Sequence, residues 1–497
     1  MENSIYFKDL PCYTNFEYAE NSKAYKNRNR VIHLDNIPTD GLKQEMRSFI
    51  EYRGNGTTIK ASSLISEIWK FHRICDFLAD TQSDMNSLLE VPEEQLLKDM
   101  RRWMLKNGYN LSETTYKKQF GKETYREGVL LSYLKSIIEF LTPESESFNQ
   151  DSDIWNIHKL PFEVRTNPIL GQQTVNFSKI RQDGIKQEMK KVTYTRLKNK
   201  ALGTVQAELV AVNRFSDYLA ENEETVQSFG DLNRDIVEGY LIYLNTEANG
   251  RKSYSTDLSH LKTIVEMAGR MIEKPEICNL FLLTDLPKRP IKQFRSYSDN
   301  ELMRLNREIV DLNPQVARVL MTHQLLGTRI SDTLTLLQDC ISVVDRKYVI
   351  TVFQVKTRRT YKKTVNEDVV ALINAAIAYT NKIHGESKYV FASESDPDKP
   401  IAYTTIQYQV MTMIQEKQLK DDQGELFGCW THMFRSTYGR KLTEMHVDDM
   451  TIAKLLGHSG TASVKHYRKM GDMVLASETK SMRQTMDEIL ANLIEGW

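Results

Sequence analysis

Apolar residues recur at three- and four-residue spacing along most of the chain, and strict alternation is confined to one stretch. Leu209, Val212, Phe215 and Leu219 fall on one helical face. Comparable stripes run from Leu130 to Leu141 and from Leu258 to Ile272. From Asp368 the spacing predicts a helix through His384, and another from Thr404 to Leu419, with Lys388 to Ala392 as a short apolar strand between them. Lys347 to Phe353 alternates and predicts a strand, which a second short strand into Val365 would pair with to make a hairpin. Ser298, with Glu301 three residues on, has the form of a capping box and starts a helix. The pattern predicts a mainly α protein with a small β-sheet or hairpin.

The first half contains a repeat. Asp40-Gly-Leu-Lys-Gln-Glu-Met46 returns as Asp183-Gly-Ile-Lys-Gln-Glu-Met189, and Arg73 to Asp80 returns as Arg214 to Glu221. The offset falls from 143 to 141, a slip a loop absorbs. The shared DGxKQEM favours duplication over two bundles with a similar pattern by chance. Residues 38–145 and 181–285 therefore read as related all-helical domains. Residues 1–37 read as an N-terminal extension and 146–180 as a polar connector. Two prolines end the helical pattern at 286–297. There Lys288, Arg289, Lys292 and Arg295 form a basic linker, either solvated or laid along a phosphate backbone. Residues 298–474 form a further domain. Met482, Met486, Ile489, Leu490 and Leu493 mark a C-terminal helix within 475–497, which closes its own core or packs on a neighbouring subunit.

Composition narrows the class. The 497 residues are 40% hydrophobic and 27% charged, enough for several buried cores. No apolar run approaches the ~18 to 20 residues of a membrane span, and the N-terminus lacks the form of a signal peptide. Five dispersed cysteines without a CxxC pair argue against disulfides and zinc, and for a cytoplasmic protein. The 66 basic and 66 acidic residues balance, so a nucleic-acid partner requires local clusters of cations.

Such clusters exist. Arg329, in LGTRISD, enters an apolar neighbourhood and needs a partner there, which Asp332 one turn on can supply. Lys356, Arg358, Arg359, Lys362 and Lys363 crowd the hairpin tip and read either as a solvated face or as an electropositive finger. From Thr431 to Met470 the chain supplies His432 and Arg435 on one helical face, His458 in LLGH at a helix tail, and Tyr467 nine residues later. A tyrosine attacking a phosphodiester builds negative charge on the non-bridging oxygens, and fixed donors aimed at that charge supply most of the catalysis. Arginine suits this because its planar fork binds two oxygens and stays charged. A lysine on a hairpin can protonate the leaving hydroxyl, and a histidine can take or position the phenolic proton.

An arginine in LGTRISDTLTL, a hairpin lysine, HxxR, LLGH and a tyrosine nine residues later resemble the tyrosine recombinase (phage integrase) family. The resemblance implies an α+β catalytic domain at about 296–470 preceded by a helical core-binding domain at 181–285. It implies Arg329, Lys356, His432, Arg435 and His458 around the scissile phosphate and Tyr467 as nucleophile. Lys356 shares its hairpin with Lys362 and Lys363, which leaves the identity of the acid open. It further implies a 3′-phosphotyrosyl intermediate, no ATP, no metal or other cofactor, double-stranded DNA as substrate and a homotetramer at synapsis. The expected setting is a mobile element in a bacterial cytoplasm, on the nucleoid when bound, with accessory recombination proteins as further partners. Ser436 departs from relatives that carry a second histidine there. A non-catalytic DNA-binding protein of the same fold and a type IB topoisomerase are the competing readings.

Overall fold

The computed structural model describes residues 4–15, 17–55, 61–82, 84–117, 122–142, 148–171, 173–246, 254–287, 295–428 and 431–468. It divides into two compact units, residues 1–145 and 146–497. Lys288, Arg289, Lys292, Cys429 and the expected C-terminal helix lie outside the described residues. Among the described residues no helix is long and apolar enough to cross a membrane. Cys12, Cys75, Cys278 and Cys340 are free thiols.

In the first unit β1 (Ser4–Tyr6) is followed by the short helices α1 (Pro11–Thr14) and α2 (Lys23–Asn27), then β2 (Val31–His33). Helices α3 (Asp40–Arg53), α4 (Ala61–Thr81) and α5 (Glu93–Lys106) come next, then the strands β3 (Ser112–Lys117) and β4 (Lys122–Glu127), and finally α6 (Val129–Leu141). The expectation of an all-helical domain preceded by an extension is corrected in two places. Ile5, Phe7, Leu10 and Cys12 share one core with Leu42, Phe49, Phe71 and Leu134, so the first residues belong to the domain. The hairpin β3–β4 was hidden because its Thr, Tyr, Lys and Glu residues show no apolar alternation.

The second unit begins with the same order. Strands β5 (Ile154–Asn156) and β6 (Thr174–Asn176) pair antiparallel, as β1 and β2 do. Helices α7 (Asp183–Asn199), α8 (Leu202–Asn222), α9 (Arg234–Thr246) and α10 (Ser255–Met271) follow. The connector is therefore part of this domain: Trp155, Val175 and Phe177 are buried in its core. The repeated DGxKQEM has a packing reason in each unit. A Cβ on Gly41 would lie 2.2 Å from the Asn86 carbonyl oxygen, and one on Gly184 2.3 Å from that of Gln227. Glu45 accepts from Ser87 Oγ and the Leu88 amide; Glu188 accepts from Ser228 Oγ and the Phe229 amide. Met46 and Met189 are fully buried.

The remainder of the second unit is the α+β part. Helices α11 (Asp299–Ile309), α12 (Pro314–Leu326) and α13 (Ile330–Leu334) precede a three-stranded antiparallel sheet. Its strands are β7 (Ile341–Val344), β8 (Lys347–Gln354) and β9 (Arg359–Val365), in that order. Ser298 and Glu301 form the expected capping box. After α14 (Glu367–His384), the stretch Lys388 to Ala392 is not a strand. Tyr389 makes one isolated bridge to Leu337, and only β10 (Ala392–Ser393) pairs with β11 (Asp396–Pro400). Helices α15 (Tyr403–Glu416), α16 (Thr431–Glu444) and α17 (Asp449–Leu455) complete the fold, and residues 464–468 are helical. Ile169 of the connector is buried in this core, and its carbonyl accepts from the Tyr403 amide.

Candidate active site

Arg329 is placed by a turn that only glycine makes cheaply. Helix α12 stops at Gly327, whose φ of 59° is left-handed and whose missing side chain leaves room for the Tyr438 ring. Arg329 then N-caps α13, with its carbonyl accepting from the Asp332 and Thr333 amides. Asp332 is buried, and its Oδ2 lies 3.6 Å from Arg329 Nη1. Its Oδ1 accepts from Ser331 Oγ and from the Val355 amide. The carboxylate thus holds both the arginine and the base of the lysine turn.

Arg435 is only 1% exposed, and the guanidinium binds the turns around it. Nη1 donates to the Gly327 carbonyl (2.9 Å); Nη2 donates to the Leu456 carbonyl (2.7 Å) and to His458 Nε2 (2.8 Å). An arginine only donates, so His458 Nε2 accepts and the proton of the neutral ring sits on Nδ1. That Nδ1 is buried and has no hydrogen-bond partner among the described residues, and the same holds for Arg329 Nη1. His458 follows Gly457 (φ 64°) at the end of α17. Tyr467 is buried against α16, its ring 6.2 Å from that of His458 and nearly parallel to it. His432, on the first turn of α16, lies near Arg435, Arg329 and Lys356.

The hairpin separates its lysines. Lys356 is exposed in the turn 355–358 between β8 and β9. With Arg329, Ser331 and Val355 it lines a cleft of about 300 Å³, whose opposite wall includes Arg165, Leu202 and Gly203. Arg165 Nη2 donates to the Lys356 carbonyl. Lys363, expected in the basic finger, is corrected to a core position. It pairs across the sheet with Ile350, on the buried face. Its Nζ donates to the Leu326 carbonyl (2.5 Å) and lies 4.1 Å from the Tyr438 ring centroid. Arg358, Arg359 and Lys362 are exposed, as is Arg295.

The model of the phage integrase family matches residues 298–472, and that of the phage integrase SAM-like domain matches residues 185–275. The chain belongs to the phage integrase family. It is a tyrosine-type site-specific recombinase, and the family's reaction cuts and rejoins DNA strands through a covalent 3′-phosphotyrosyl intermediate. The chain is 24% identical over 478 residues to Transposase B from transposon PsiTn554 of Staphylococcus aureus, covering 94% of this chain and 75% of that protein. Transposase B from transposon Tn554 of the same species matches at the same identity and coverage. Among solved structures, XerH recombinase bound to difH matches at a TM-score of 0.42 and 14% identity, over 56% of this chain and 79% of that one. The Tn1549 transposon integrase with circular intermediate DNA matches at 0.41 and 14%, over 56% and 94%.

Both histidines of the candidate site are shifted towards the neutral form. Burial, then Arg435, Arg329 and His432, push His458 down to about 4. Burial, then the nearby cations, also lower His432. For His458, between about 4 and 6.5 the unfolded chain binds a proton that the folded one does not. Stability from His458 is therefore fully present above about pH 6.5 and lost as pH falls through about 4. An NMR titration of the free recombinase is expected to show the His458 ring neutral at pH 6, and a bound phosphodiester is expected to raise its pKa.

Sequence reasoning missed His323 and Gln354. His323 is 1% exposed; Nε2 donates to the Thr431 carbonyl and Nδ1 accepts from Thr333 Oγ1, joining α12, α13 and α16. Burial pushes it down to about 4. Its place in MTHQLL, inside a helical stripe, carries no signal of this. Gly439 packs closely against the candidate site. A Cβ there would meet Tyr467 ring carbons at 2.8 Å. Gly439→Ala is expected to gain about 1 kcal/mol of helix propensity. Single-turnover cleavage is nonetheless expected to fall about 10²-fold, because the Tyr467 ring is displaced.

Proposed function

We propose that Arg329, Arg435, His458 and His432 enclose the scissile phosphate of a DNA duplex, that Tyr467 attacks it, and that Lys356 protonates the leaving 5′-oxygen. The observation that carries this reading is the pair of buried N–H groups without a hydrogen-bond acceptor among the described residues: Arg329 Nη1, 3.6 Å from Asp332, and His458 Nδ1, whose ring stacks on the buried Tyr467. Buried polar groups are nearly always paired, so two such donors beside one hydroxyl fit an anion that arrives with substrate. Arg435 donates to Gly327, Leu456 and His458 and also hydrogen-bonds Tyr467, which places the guanidinium beside the hydroxyl proposed to attack.

The wider assignments follow from family membership and from the placement of cations. Residues 181–285 and 298–474 act as core-binding and catalytic domains on one duplex, with Arg295, Arg358, Arg359 and Lys362 on its backbone, where they confer salt-dependent affinity. Four protomers act together at synapsis in the bacterial cytoplasm, and accessory proteins help bring the sites together. Cross-linking of the synapsed complex tests the stoichiometry: a tetramer on two duplexes is expected, and a complex that saturates at two protomers rejects it.

A nicked suicide duplex tests the phosphate cage. Arg329→Ala and His458→Ala are expected to lower covalent adduct formation about 10²- to 10³-fold at unchanged duplex affinity. Wild-type rates in both would reject the cage.

A further inference from the structure

Gln354, the last residue of β8, is 2% exposed, and both ends of its amide are engaged. Nε2 donates to the Gly457 carbonyl at 2.7 Å, and Oε1 accepts from Thr357 Oγ1 at 2.6 Å. The reverse orientation would set two oxygens against each other, so the partners fix which end is which. The Gln354 backbone carbonyl accepts from the Arg358 amide and closes the turn 355–358. One residue thus grips the turn bearing Lys356 by its backbone and by the Thr357 hydroxyl. Its amide reaches across to the residue preceding His458. The fit is close: a Cβ on Gly457 would lie 2.3 Å from Gln354 Nε2.

We propose that Gln354 is a positioning residue that fixes the Lys356 turn to the His458 turn, so that the leaving-group acid and a phosphate donor are delivered together. This rests on the reading of Lys356 as the acid. In the cleavage step the Tyr467 Oη–P bond forms and the P–O5′ bond breaks. The phenolic proton leaves to a base, and O5′ takes a proton from Lys356 Nζ. A misplaced turn slows the second transfer even when the phosphate is correctly held.

Sulfur in place of the bridging O5′ separates this role from a merely structural one. A thiolate leaves without a proton, so a substrate with a 5′-thio leaving group bypasses the acid. Gln354→Met is expected to cleave an ordinary nicked duplex about 10²-fold more slowly at unchanged Kd. It is expected to recover to within a few-fold of wild type on the 5′-thio duplex, in parallel with Lys356→Ala. Thr357 is exposed, so its variants keep the test open if Gln354→Met does not fold. Thr357→Val is expected to slow ordinary cleavage about fivefold, the worth of one hydrogen bond, and to recover on sulfur, while Thr357→Ser stays at wild type. Equal slowing of Gln354→Met on both substrates, or wild-type cleavage by Thr357→Val, overturns the proposal. If Lys356→Ala itself does not recover on sulfur, the acid assignment fails and the proposal with it.

Discussion

Arg435→Ala is expected to abolish covalent adduct formation and to lower the melting temperature as well, whereas Arg329→Ala lowers adduct formation and leaves the melting temperature unchanged. Arg435 is buried, and its loss leaves the Gly327 and Leu456 carbonyls and His458 Nε2 without their donor. Each such group costs about 1–3 kcal/mol, so the three together are expected to lower the melting temperature by roughly 6 °C or more. Arg329 has a side chain 26% exposed and one partner carboxylate, Asp332, so its removal relieves few bonds. Asp332 is already pushed above the ordinary carboxylate range by burial, against the pull of Arg329. Without that arginine it takes up a proton more readily, which limits the cost. Calorimetry beside a suicide-substrate assay distinguishes the two; equal melting losses would show that Arg329 also holds the turns together.

Lys356 and Lys363 are expected to part company in the same pair of assays. Lys356→Ala removes an exposed ammonium, so melting is unchanged and cleavage falls about 10²- to 10⁴-fold, the range for a lost general acid. Lys363→Met strands the Leu326 carbonyl beside the Arg329 turn, so melting falls and cleavage follows from the loosened turn. The pH dependence carries a separate signature. Burial, then Arg435, push Lys363 down to about 7. From about 7 to 10.5 the unfolded chain holds a proton the folded one has released, so stability rises with pH across that window. Lys363→Met is expected to lose this slope. A slope retained in the variant would place its origin elsewhere.

What was legible in the sequence was chemistry at fixed spacing. Arg329, His432, Arg435, His458 and Tyr467 stood out because phosphoryl transfer needs those side chains and helical spacing puts two of them on one face. The strand at Lys347 and the cap at Ser298 were legible because apolar alternation and a Ser-x-x-Glu pattern report directly on backbone geometry. Lys363 was misplaced because alternation gives a strand's two faces but not which of them carries a buried cation. Strands of three residues, such as Ser4–Tyr6 and Ile154–Asn156, are too short for periodicity to mark. The connector looked polar because few of its residues anchor it, yet Trp155 and Phe177 suffice to bury it. Gln354 could not be found at all, since its amide binds the Gly457 carbonyl about a hundred residues away.

Peptide mapping of the adduct on a nicked suicide duplex tests the central claim most directly. A single cross-linked peptide carrying the 3′-phosphoryl group on Tyr467 is expected, and no adduct from Tyr467→Phe at wild-type duplex affinity. An adduct on any other residue, or one that persists in Tyr467→Phe, would contradict it.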